Sequence, residues 1–80
     1  MLKIKNNVDL KELETFGFNF DKYDYYYDFR PYKENDGSYL LVRKDTRELY
    51  IDYVELEHIN KAVSILYGLI KADLVEKIED

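Results

Sequence analysis

The sequence predicts an α+β fold: a small antiparallel sheet of three strands packed on one long helix, with a short helix near the N-terminus. Three observations predict it. Apolar residues at Leu56, Ile59, Val63, Leu66 and Ile70 recur in steps of three and four, the period of one helix face. The stretches 23–29, 38–43 and 48–51 alternate in character with the two-residue period of strands. Asn35-Asp36-Gly37 and Lys44-Asp45-Thr46 stand between them as turns. The two terminal segments are candidates for added strands.

In chain order, Leu2 and Ile4 alternate with Lys3 and Lys5, a short strand pattern. Asp9 and Glu12 have the spacing of a capping box, with Val8 and Leu13 at the staple positions. The spacing predicts a short helix over Leu10 to Phe16. Gly17 suits the left-handed C′ position, and Phe18 then reaches back to Leu13. So short a helix is stable only when packed.

Phe18 to Phe29 is an aromatic stretch. Extended, it places Tyr23, Tyr25, Tyr27 and Phe29 on one face and Asp24, Tyr26, Asp28 and Arg30 on the other. That is a half-buried strand with a charged outer side. Pro31 ends it or places it at an edge, because proline donates no ladder hydrogen bond. In the next strand Leu40 and Val42 share a face and Tyr39 and Leu41 the other, so both sides are candidates for burial. In the third, Leu49 and Ile51 are expected inward and Tyr50 outward.

The long helix is expected over Asp52 to Lys71. Asp52 and Glu55 form its capping box, and Ile51 and Leu56 its staple. Ala62, Ile65, Tyr67 and Leu69 widen the apolar stripe as packing on a sheet requires. Lys71-Ala72-Asp73 closes the helix. Leu74 to Glu79 fits either more helix or a return strand that pairs Val75–Ile78 with Leu2–Lys5.

Eighty residues make a single domain. A chain of this size buries only ~60% of its unfolded surface, which leaves little for a deep cleft. An apolar content of 46% argues against intrinsic disorder. The absence of cysteine points to a reducing cytoplasm, that of a host cell in the reading below. The stretch 1–7 has no signal-peptide core, and nothing approaches the ~18 consecutive apolar residues of a membrane span. A net charge of −5 disfavours direct binding to nucleic acid or an anionic membrane.

Catalytic constellations are not found, and an enzyme is not expected. His58, the single histidine, lies at the border of the helix stripe and reads as a surface or rim residue. Without cysteine or a second histidine a usual zinc site cannot form. Ser38 and Ser64 lack a nucleophile-elbow context, and Gly17, Gly37 and Gly68 make no phosphate loop. Asp21, Asp24 and Asp28 are close in sequence and could hold magnesium, but such charges are usually the solvated side of a sheet. No cofactor is expected.

The nine tyrosines stand out. Tyr25, Tyr27, Tyr39 and Tyr67 are expected in the core or at its edge. Tyr23, Tyr26, Tyr32, Tyr50 and Tyr53 are expected outside it, as amphipathic anchors of the kind enriched at protein interfaces. Their neighbours are acidic, which argues against a nucleic-acid groove. Protection of a strand edge is the plain alternative. Carboxylates spaced along a strand, with rings between them, can instead resemble nucleic acid to a basic partner. The candidate partner-binding residues are Asp21, Tyr23, Asp24, Tyr26, Asp28, Tyr32, Glu34 and Tyr50.

The opening Leu2-Lys3-Ile4-Lys5-Asn6-Asn7-Val8-Asp9-Leu10-Lys11-Glu12-Leu13-Glu14 with Gly17-Phe18, and the close from Leu66-Tyr67-Gly68 to Lys77-Ile78-Glu79, resemble small phage and prophage proteins of low-GC Gram-positive bacteria. The resemblance implies an accessory phage product, of the kind that includes anti-CRISPR and other anti-defence inhibitors. The leading expectation is therefore a non-enzymatic inhibitor of a host nucleic-acid-handling or defence complex. The alternatives are a self-associating assembly module, which would be a homodimer or larger oligomer, and, further behind, a small metal-binding enzyme.

Overall fold

The computed structural model describes residues 1–29, 39–51 and 56–78, with Tyr39 described for its backbone. The elements are β1 (Leu2–Ile4), a 3-10 helix (Leu10–Phe16), β2 (Asn19–Phe20), β3 (Asp24–Asp28), β4 (Tyr39–Arg43), β5 (Glu48–Ile51), a 3-10 turn (Leu56–His58), α1 (Ile59–Lys71) and β6 (Val75–Lys77). The α+β class is as expected. Among the described residues the expected three strands are corrected to a six-stranded antiparallel sheet in the order β2-β3-β4-β5-β1-β6.

The three further strands come from splitting the aromatic stretch, which yields β2, and from the paired termini, β1 and β6. The aromatic stretch is not one strand, because Asp21 turns the chain. Its Oδ1 accepts hydrogen bonds from the amides of Tyr23 and Asp24, at 2.9 and 2.8 Å, so β2 folds back on β3. β3 is therefore not an edge strand where Tyr25 and Tyr26 lie. At the termini, β6 pairs with β1, Leu2 opposite Lys77 and Ile4 opposite Val75, which settles the 74–79 segment as strand over Val75–Lys77.

The short N-terminal helix is also corrected: Leu10–Phe16 is a 3-10 helix, not an α-helix. Its ends still obey the capping rules. Asp9 Oδ1 accepts from Lys11 N at 2.9 Å. Gly17 has φ 91°, its amide donates to Glu14 O, and Phe18 N donates to Leu13 O at 3.2 Å, a Schellman ending. The same ending closes α1, where Asp73 takes φ 63° and Leu74 N reaches Leu69 O at 3.1 Å.

One core joins the sheet from β3 to β6, the 3-10 helix Leu10–Phe16 and α1. Ile4, Leu13, Tyr25, Leu40, Val42, Leu49, Ile65, Leu69 and Leu74 are buried together. Arg47 ties the two halves of the sheet. It sits at φ 65°, and its Nη1 donates to Lys5 O at 2.8 Å and Val8 O at 2.6 Å, while its own carbonyl accepts from Ile4 N.

The helix is rotated from the expected setting. Ala62, Ile65 and Leu69 face the core, whereas Leu56, Ile59, Val63, Tyr67 and Ile70 are exposed. The expected core position of Tyr67 is thereby corrected. The cause is visible at Gly68, where a Cβ would stand 3.3 Å from the Phe16 ring. The 3-10 helix lies against that glycine. At about 100° per residue, Ile59, Val63 and Ile70 then fall on the far side of α1. Ile51 is also corrected: it keeps the inward parity of β5 but is 61% exposed. The expected cap of the long helix, Asp52 with Glu55, lies outside the described residues; α1 begins after His58. No helix among the described residues is long and apolar enough to cross a membrane.

Candidate partner-binding face

With the helices on one side, strand parity assigns the residues of the other. Cross-strand partners share a face. Tyr26 is opposite Leu41, and Leu41 opposite Tyr50, so a row of two phenols and a leucine crosses β3, β4 and β5. Asp24 pairs with Arg43, and Lys3 with both Glu48 and Glu76, which puts charged rows beside it. Among the described residues no helix covers this face, and Tyr26, Leu41 and Tyr50 are each half-buried.

A depression of about 250 Å³ opens on it, lined by Asp21, Asp24, Tyr26, Asp28 and Leu41. Four of the eight expected binding residues thus come together. The sequence parity that grouped Asp24, Tyr26 and Asp28 opposite Tyr25 and Tyr27 is the reason they do. Tyr50 lies on the same face, at the other end of the row. Its hydroxyl donates to Glu48 Oε2, and that bond raises the phenol pKa above its usual value.

Tyr23 is elsewhere. It stands in the β2–β3 turn, 66% exposed, beside a second depression of about 260 Å³ lined by Lys22, Arg43, Lys44 and Asp45. Its surroundings are basic: Lys22 Nζ lies 5.5 Å from its ring centroid. Tyr32 and Glu34 lie outside the described residues, as does Tyr53. Leu41, Arg43 and Glu48 belong to the face and were not singled out by sequence. Their signal was alternation: residues between Leu40, Val42 and Leu49 must point away from the core.

The amides of Asp24 and Tyr23 hold the Asp21 carboxyl below its usual pKa, so it is ionised and spent on the turn. Lys44 closes the same corner. Its Nζ donates to Asp21 O and lies 5.2 and 5.3 Å from the ring centroids of Phe20 and Tyr25. Arg43 is held by Asp45, with Nε to Oδ1 at 3.3 Å. Among the described residues no three His, Cys, Asp or Glu side chains stand close enough together to hold a metal ion. His58 stacks on Phe29, with ring centroids 5.5 Å apart and planes within 14°, as part of an aromatic series through Tyr27 and Phe18.

Comparison of the chain with protein families, curated proteins and solved structures found no match.

Proposed function

We propose that this protein acts by binding another protein through the uncovered sheet face, without chemistry of its own. The observation that carries the reading is the gathering of Asp21, Asp24, Asp28 and Tyr26 around Leu41 on a surface no described helix covers. Carboxylates at the margin steer a basic partner and set its orientation. The apolar row of Tyr26, Leu41 and Tyr50 supplies area to desolvate once contact is made. A basic surface built to hold nucleic acid has the complementary charge. The partner is therefore taken to be a nucleic-acid-handling or defence component of a host cell, in keeping with the phage-like opening and close of the chain. Inhibition follows if the occupied groove is the one its substrate needs.

The test is capture from a lysate of a low-GC Gram-positive bacterium, with the full chain and a Tyr26→Ala/Asp24→Lys/Asp28→Lys variant as parallel baits. The reading expects a basic nucleic-acid-binding protein on the first bait, lost from the second and weakened by salt. Capture of the same proteins by both baits, or of none that is basic, contradicts it.

A further inference from the structure

The corner where the β2–β3 turn meets the end of β4 holds a depression of about 260 Å³. Its lining is Lys22, Tyr23, Arg43, Lys44 and Asp45, three cations against one carboxylate in a chain whose net charge is −5. The backbone brings them together. Lys44 N donates to Tyr23 O at 3.0 Å, so the two residues stand opposite one another and share a side of the sheet. The Asp21 turn carries Lys22 to the same end.

What holds each cation decides whether its charge is available. Arg43 is paired with Asp45. The two lysines are held by neutral groups. Lys44 Nζ donates to the Asp21 carbonyl and lies by the rings of Phe20 and Tyr25, and Lys22 Nζ lies by the ring of Tyr23. A carbonyl or a ring face places an ammonium without cancelling its charge. Among the described residues neither lysine forms an ion pair, and the Asp21 carboxylate is taken up by the amides of Tyr23 and Asp24. The lining therefore keeps an excess of two positive charges beside a phenol that is 66% exposed.

These features select a ligand. A phosphate monoester carries about −1.5 to −2 at neutral pH and offers three acceptor oxygens to the ammonium donors. A planar ring attached to it can lie on Tyr23, as bases stack on exposed aromatic side chains. At about 260 Å³ the depression is close to the ~300 Å³ at which small-molecule sites begin, so it takes one small ligand. A nucleic-acid strand fits less well, because Asp21, Asp24 and Asp28 in the neighbouring depression repel the next phosphate. We propose that this corner binds a nucleoside monophosphate, its phosphate at Lys22 and Lys44 and its base on Tyr23. The site lies apart from the row of Tyr26, Leu41 and Tyr50 and does not rest on the partner-binding reading above.

An NMR titration of the full chain tests it, with adenosine 5′-monophosphate, adenosine and inorganic phosphate as separate probes. The monophosphate is expected to shift the amides of Lys22, Tyr23, Lys44 and Asp45 and to saturate at millimolar concentration. Phosphate is expected to shift the same amides with weaker binding, and adenosine to leave them in place. Lys22→Gln is expected to weaken the monophosphate about threefold to tenfold, the range of one exposed charged contact. Tyr23→Ala is expected to bring the monophosphate down to the affinity of phosphate, with the rest of the spectrum unchanged. Shifts that do not saturate, an equal response to adenosine, or binding that survives both substitutions overturns the inference.

Discussion

At the scale of single residues, the fold depends on a few positions whose backbone or side chain has one workable arrangement. Gly17 is one. Its φ of 91° is costly for any L side chain, and a Cβ would stand 3.0 Å from Cε2 of Tyr27. Gly17→Ala is expected to cost about 1–2 kcal/mol or more, read by urea denaturation, since the left-handed penalty alone is of that size. Arg47 is another. Truncation to alanine leaves the carbonyls of Lys5 and Val8 without their charged donor, an expected loss of about 1.5–3 kcal/mol. Arg47→Gly is expected to lose less than Arg47→Ala, because its φ of 65° suits glycine. Asp21 adds a pH dependence. Its folded pKa is depressed, so its contribution is present above the unfolded value and is lost as pH falls through the folded one. An NMR titration is expected to show the Asp21 carboxyl titrating below 3.8, with the Tyr23 and Asp24 amide shifts moving alongside it.

At the scale of elements, sequence and structure agree where a period had one interpretation and part where it had two. The alternation of β3 told Asp24, Tyr26 and Asp28 from Tyr25 and Tyr27 correctly, because a two-residue period allows only two faces. The caps at Asp9, Gly17 and Phe18 were readable because capping is local. The rotation of α1 was not. Both Leu69 and Ile70 lie on apolar stripes, and the choice between them is made by Phe16 against Gly68, a contact between residues far apart in sequence. The turn at Asp21 was likewise hidden among aromatics, which favour extension. A pair of substitutions separates the two settings of the helix. Leu69→Ala is expected to cost about 2–5 kcal/mol, as buried leucines do. Ile70→Ala is expected to change stability by no more than about 0.5 kcal/mol in dilute protein. Thermal or urea unfolding of the two, side by side, checks it.

At the scale of the whole molecule, helices pack on one face of the sheet and leave two surfaces of different character. The sheet side carries half-buried rings edged by carboxylates; one flank of α1 exposes Ile59, Val63 and Ile70, and its outward side carries Asn60, Ser64 and Lys71. Half of the binding residues expected from sequence meet in one depression, since strand parity aligned them. Tyr23 does not join them, because the Asp21 turn takes it to the basic corner with Lys22 and Lys44. The most direct measurement of the central claim is an amide hydrogen-exchange footprint of the chain bound to the protein it captures. Added protection is predicted over β3, β4 and β5, at Tyr26, Leu41 and Tyr50, with α1 unchanged. Protection confined to the α1 stripe, with the sheet amides exchanging as in the free chain, would contradict the account.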